Sequence, residues 1–237
     1  MEFLSSNQHT LVYNVLSFGT AVMFGAFVYF LTQIKSVREE YRSGVAVSAV
    51  VVGIAGYHYY RIWSGFSVGE MNEGYRYADW LITVPLLIVE LLIVLGVASA
   101  LRKSLMWKLV PASILMIGLG YPGEISSSTG TKWVFWIMAV IPFVYILYVL
   151  YGQLQEAQKR ETGAVATSIK NATLVLLSTW CVYPIAYLFP IFDAESGTLE
   201  TLRQVGYTFA DITAKGLYGL MILSIAKARS TESKSSS

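Results

Sequence analysis

Two apolar stretches of this chain carry side chains that could move protons. In the first, Thr83 and Glu90 follow Asp79 by four and eleven residues. Eleven residues at about 100° each return to within about 20° of the same helix face, so all three line one stripe. The two carboxylates then stand about 16 Å apart along the axis. In the second stretch Asp211 and Lys215 lie at i and i+4, where their heads can pair. A lysine amine stripped of water is a nucleophile towards an aldehyde and can form a Schiff base. Arg76, one turn before Asp79, can stabilise that carboxylate; an interfacial arginine reaching for water is the plainer reading. His58 could hydrogen-bond between helices or pair with a carboxylate. Asp211 with Lys215 alone could be a structural ion pair. Three buried acids against one lysine and one arginine look more like a proton path.

Such groups need surroundings that exclude water, and the composition supplies them. The 237 residues are 55% hydrophobic and 14% charged, with a mean hydropathy of +0.55. A soluble domain carries roughly 25% charged residues to cover its surface. A net charge of +2 without a basic run gives no reason to expect a nucleic-acid partner. The single cysteine, Cys181, excludes an intramolecular disulfide and reads as an inert, packed thiol.

Apolar stretches near the ~20 residues that cross a bilayer fall at about 11–33, 44–63, 75–100, 105–122, 131–153, 168–191 and 199–227. The expected fold is an all-α membrane protein, a single seven-helix domain over 1–229 with a disordered serine-rich tail over 230–237. Met1 to Thr10 is polar, so the first span is expected to act as an uncleaved insertion signal. Most of the basic residues fall in the odd connections and the tail: Lys35, Arg38, Arg42, Arg102, Lys103, Lys108, Lys159, Arg160, Lys170, Lys227, Arg229 and Lys234. The N-terminus and even connections collect Glu2, Glu70, Glu73, Glu124, Asp193, Glu195 and Glu200, with Lys132 and Arg203. That bias predicts the N-terminus outside and the C-terminus in the cytoplasm, and seven crossings require opposite sides.

The segment Arg76-Tyr77-Ala78-Asp79-Trp80-Leu81-Ile82-Thr83-Val84-Pro85-Leu86-Leu87 and the segment Ala210-Asp211-Ile212-Thr213-Ala214-Lys215 resemble the microbial (type 1) rhodopsins, and the resemblance covers all seven spans. Trp180, Tyr183, Pro184 and Tyr187 are similar to that family's aromatic retinal wall and proline kink. Met116, Gly118 and Gly120 are similar to its fourth-span floor. The triplet Asp79, Thr83 and Glu90 resembles that of the outward proton pumps of eubacteria, the proteorhodopsin and xanthorhodopsin groups. Residues 54–58, 120–126, 145–150 and 182–188 are most similar to the xanthorhodopsin group.

The resemblance implies all-trans retinal bound to Lys215 as a protonated Schiff base, with Asp79 as counterion and proton acceptor, Asp211 as second counterion, Glu90 as donor and His58 as the partner of Asp79. It implies that Trp80, Leu87, Trp136, Phe143 and Tyr207 join the retinal pocket. The function it implies is a light-driven outward proton pump, an ion transporter and not an enzyme, in the inner membrane of a bacterium. Trimers or pentamers in the lipid bilayer are implied likewise. Carotenoid-binding members have a glycine where this chain has Trp136, so no carotenoid antenna is expected. Leu87 stands where green-absorbing members have leucine and blue-absorbing ones glutamine, so green absorption is expected. The principal rival is a photosensor signalling through a partner, against which Glu90 counts. Sodium pumping, chloride pumping and a seven-span receptor without a chromophore fit the residues less well.

Overall fold

The computed structural model describes residues 4–235, with side chains as far as residue 231; Glu2 and the tail residues 236–237 lie outside the described residues. Nine α-helices follow in order among the described residues: α1 (Ser6–Gln33), α2 (Glu39–Ser67), α3 (Gly74–Val94), α4 (Ser99–Glu124), α5 (Thr129–Arg160), α6 (Gly163–Trp180), α7 (Val182–Phe192), α8 (Gly197–Asp211) and α9 (Tyr218–Ser235). They make seven rods long and apolar enough to cross a membrane, and no strand occurs among the described residues. The sixth rod is α6 with α7; the seventh is α8, a π-helical turn over Ile212–Leu217, and α9.

Local chemistry sets the ends. Ser5 opens α1 with a capping box: its hydroxyl accepts from Gln8 N and Gln8 Oε1 accepts from Ser5 N. At α5 and α8, Ser128 and Ser196 accept from Thr131 N and Leu199 N, each satisfying one orphan N–H group. Pro184 has no N–H for the carbonyl of Trp180, and the sixth rod breaks at Cys181. Cys181 faces outward at that break and is not packed in the core.

Each rod packs on its sequence neighbour, and α8 returns to α1, α6 to α9, so the bundle closes. Its outer surface carries exposed Val28, Ile141, Tyr148 and Ile185, suited to lipid. The interior is inverted at its centre. Arg76, Asp79, Thr83, Glu90, Gln204, Thr208, Asp211 and Lys215 are all buried there, on the inward faces of α3 and the seventh rod.

One apolar stretch is shorter than expected. The third apolar stretch does not run to residue 100: α3 stops at Val94, because Gly96 takes φ +65° and Arg229 Nη1 donates to Val94 O at 3.1 Å. A Cβ on Gly96 would stand 2.5 Å from that guanidinium, so the turn needs glycine for both reasons. The α9 helix continues to Ser235, anchored where buried Ser230 accepts from Arg38 N at 2.9 Å and donates to Ala226 O.

Candidate functional site

Asp79, Thr83 and Glu90 lie on one buried face of α3, at most 1% exposed. Thr83 Oγ1 donates to Asp79 O at 2.9 Å. Across the bundle, Lys215 sits in the π-helical turn, whose widened backbone carries the amine into the centre. Lys215 Nζ donates to Asp79 Oδ2 at 2.7 Å and also contacts Asp211 Oδ1. The i, i+4 pair foreseen on the seventh rod is therefore a triad with α3.

The two carboxylates are held very differently. Asp211 accepts from Tyr59 Oη at 2.7 Å, Trp80 Nε1 at 3.0 Å and Tyr183 Oη at 2.8 Å, besides Lys215. Arg76 Nη1 stands 3.7 Å from Asp211 Oδ2. Protonating Asp211 would sacrifice hydrogen bonds made to its charged form. Among the described residues, Asp79 has Lys215 as the one hydrogen-bond donor to its carboxylate, and its buried Oδ1 has no hydrogen-bond partner. That oxygen is free to take a proton.

His58 and Arg76 need finer descriptions than the sequence offered. His58 Nδ1 is 4.0 Å from Asp79 Oδ1, an ion-pair separation too long for a hydrogen bond, while the same nitrogen lies 3.0 Å from Ile54 O. Arg76 is only 1% exposed, so it does not reach for the interface. Its side chain points away from Asp79, to Asp211, to Glu73 Oε2 at 3.2 Å, to Tyr59 Oη at 3.0 Å and to Gln204 Oε1 at 2.8 Å. The direction follows from the tilt of helical side chains towards the N-terminal end of α3.

From Lys215 a cavity of about 100 Å³ runs between the rods to α5. Trp80, Leu87, Met116, Gly120, Trp136, Phe143, Trp180, Tyr183, Pro184, Tyr187 and Tyr207 all line it, as do Tyr77, Val84, Ile117, Ala139, Val140 and Ala214, which spacing had not singled out. Gly118 does not: it faces outward with nothing near its Cβ position. Gly120 does form the floor, where a Cβ would come within 3.2 Å of Tyr77. Trp136 Nε1 donates to Pro184 O at 2.9 Å, tying α5 to the start of α7. An apolar cavity ending at one amine between two carboxylates suits a long apolar aldehyde, and these residues fit retinal.

At the end of the bundle where α3 begins, a second polar cluster forms from residues read as surface charges. Arg203 contacts Glu124 Oε1, Glu200 Oε2 at 2.8 Å and Glu73 Oε1 at 3.3 Å. Tyr77 Oη donates to Glu124 Oε2 at 3.0 Å, and Gln204 Nε2 to Glu73 Oε1 at 2.6 Å. Through Gln204 and Arg76 this cluster joins the Asp211 site. The only foreshadowing in the sequence was Glu200 and Arg203 at i, i+3.

Arg203→Gln should leave three carboxylates without their shared cation and cost about 3–5 kcal/mol, read as a lowered thermal denaturation midpoint. Glu73, just ahead of α3, has its carboxyl held below the usual glutamate range: burial pushes it up, but Arg203 and Arg76 outweigh that. Its stabilisation is thus present above the unfolded value and lost as pH falls through the folded one. Stability measured against pH should fall on the acid side, with a shallower fall in Glu73→Gln.

At the opposite end of the α3 stripe, Glu90 Oε1 accepts from Ser48 Oγ, and Glu90 Oε2 is buried without a partner. Carboxylates thus flank the amine along the bundle axis on both sides.

The family model described as bacteriorhodopsin-like protein matches residues 10–229. The chain is 30% identical over 209 residues to a green-light absorbing proteorhodopsin of Gamma-proteobacterium EBAC31A08, covering 87% of this chain and 83% of that one. It is 31% identical over 219 residues to archaerhodopsin-3 of Halorubrum sodomense, covering 88% and 82%. Among solved structures, it superposes on xanthorhodopsin, described as a light-driven ion pump with dual chromophore, with a TM-score of 0.91 at 44% identity over 98% of each chain. Thermophilic rhodopsin gives 0.90 at 40% identity, over 97% of this chain and 98% of that one.

Proposed function

This chain belongs to the bacteriorhodopsin-like family, and we propose that it is a retinal-dependent, light-driven pump that carries protons out of the cell. The observation that carries the reading is the unequal holding of two carboxylates around one amine. Asp211 is saturated with donors, whereas Asp79 has one donor and a free oxygen.

Lys215 Nζ would hold all-trans retinal in the apolar cavity, and the bound group would supply the light-driven change that weakens the hold of that nitrogen on its proton. Lys215 Nζ would then give that proton to Asp79, whose Oδ2 stands 2.7 Å from it. Asp211 stays charged and holds Tyr59, Trp80 and Tyr183 in place, so an anion is waiting when Nζ is protonated again. Glu90, in its apolar surroundings, starts with a proton and returns one to Nζ. The acceptor lies towards the end of the bundle where the N-terminus emerges. The basic bias of the other end puts that emergence outside, which makes transport outward.

Trp136 closes the α5 side of the cavity, which supports retinal as the single chromophore. Leu87 lines the same cavity, and green absorption is expected. Leu87→Gln should move the absorption maximum towards the blue, because a polar amide in place of an apolar wall stabilises the ground-state charge near Nζ; an unmoved spectrum would exclude Leu87 as the tuning position.

The test is the pH of an unbuffered suspension of cells expressing the chain with all-trans retinal, under green light. Acidification abolished by a protonophore is expected. Coloured cells without any pH change would overturn pumping and favour a photosensor; alkalinisation enhanced by protonophore would point to another transported ion.

A further inference from the structure

Between Glu90 and Lys215 lies an apolar layer that a proton has to cross. Glu90 is eleven residues from Asp79, about 16 Å along α3, and Lys215 Nζ is beside Asp79. Leu87 stands between Asp79 and Glu90 on α3 and is buried in one apolar cluster with Ile222 of α9. The same cluster contains one phenol. Tyr218 is 1% exposed and sits three residues beyond Lys215, one turn further towards the Glu90 end of the bundle.

Buried hydroxyls nearby are spent on backbone or on Glu90 itself: Thr83 Oγ1 on Asp79 O, Thr173 Oγ1 on Ile169 O, and Ser48 Oγ on Glu90 Oε1. The Tyr218 hydroxyl is not. Among the described residues it has no hydrogen-bond partner, and neither has Glu90 Oε2. The helices that carry the two groups, α3 and α9, pack against each other. A buried polar atom without a partner costs about 1–3 kcal/mol, so two of them in one apolar layer require a reason. Together they offer the polar partners that a bridging water needs.

We propose that Tyr218 is the relay of the cytoplasmic half: its hydroxyl, joined to Glu90 Oε2 through a bridging water, passes the donor's proton on towards Lys215 Nζ. The inference rests on the pumping reading above. The proton leaves the Glu90 carboxyl, the water and phenol each take one and give one up, and Nζ receives the last. Glu90 ends as the carboxylate, and the Tyr218 hydroxyl is regenerated with no net charge.

Tyr218→Phe deletes the oxygen and keeps the ring. In purified protein carrying all-trans retinal, flash photolysis should show reprotonation slowed about tenfold, the loss of one hydrogen bond from the path, with the dark absorption maximum and the first proton transfer unchanged. Because the phenol acts through Glu90, adding Tyr218→Phe to Glu90→Gln should slow recovery by less than about twofold more. Wild-type recovery in Tyr218→Phe, or the same slowing in both backgrounds, overturns the relay and leaves packing as the role of the ring. A wild-type pigment that moves no protons in light overturns pumping itself and the relay with it. Should Tyr218→Phe form no pigment, infrared difference spectra of wild-type protein labelled in its tyrosine rings decide the matter. A phenol C–O band changing in step with the Glu90 carboxyl band is expected, and a silent phenol overturns the relay.

Discussion

Asp79→Asn should yield a coloured pigment that translocates no protons. The amide is nearly isosteric, so the fold and cavity should persist, but it cannot accept a proton from Lys215 Nζ. Asp211 cannot take over, since its oxygens are engaged by Tyr59, Trp80, Tyr183 and Lys215. Loss of the anion that stands 2.7 Å from Nζ should also shift absorption to longer wavelength, because the positive charge is then less tightly held at the nitrogen. Light-induced pH change in reconstituted vesicles should drop to background, and no deprotonated species should appear after a flash. Retained pumping in this variant would remove Asp79 from the acceptor role. The same logic sets a pH limit on the wild type: below the titration of Asp79 no acceptor is available, and outward transport should cease.

The second large effect is expected of Lys215→Ala. It removes the attachment point, so no pigment should form when all-trans retinal is added. It also strands the buried carboxylate of Asp79, 1% exposed, whereas Asp211 keeps Arg76 and its three hydrogen-bond donors. Leaving such a charge uncompensated costs about 3–5 kcal/mol, and the apoprotein should unfold at a clearly lower temperature than wild type. Lys215→Arg separates the two roles: it keeps the cation between the carboxylates but offers no amine for an aldehyde. That variant should be colourless yet closer to wild type in stability. A coloured Lys215→Arg pigment would refute covalent attachment at this position.

Much of the site was legible because helical periodicity acts within one segment. The offsets of Asp79, Thr83 and Glu90 put them on one face whatever the neighbours do. The cost of charge in a bilayer then makes any Lys215 or Asp211 inside an apolar span conspicuous. Periodicity does not say what a face meets. Arg76 is spaced to reach Asp79 but contacts Asp211 and Glu73, because its long side chain extends away from the centre of the bundle. His58 reaches Asp79 only at 4.0 Å, its Nδ1 already beside its own helix at Ile54 O. Gly118 and Gly120 are two residues apart, on nearly opposite sides of α4, so only Gly120 lines the cavity.

The sequence by itself determined the seven apolar rods, the acidic stripe on the third and the lysine on the seventh, since these follow from hydrophobicity and from spacing along a single helix. The tertiary structure alone decided which carboxylate is saturated and which is free. Tyr59, Trp80 and Tyr183, from three different rods, converge on Asp211 and none of them on Asp79. It also decided that Glu73, Glu124, Glu200 and Arg203 form one cluster, and that the Tyr218 hydroxyl lies unpartnered in the layer that Glu90 borders. The physical reason is the same in each case. A hydrogen bond or an ion pair depends on distances of a few ångströms between helices far apart in the chain, and packing sets those distances.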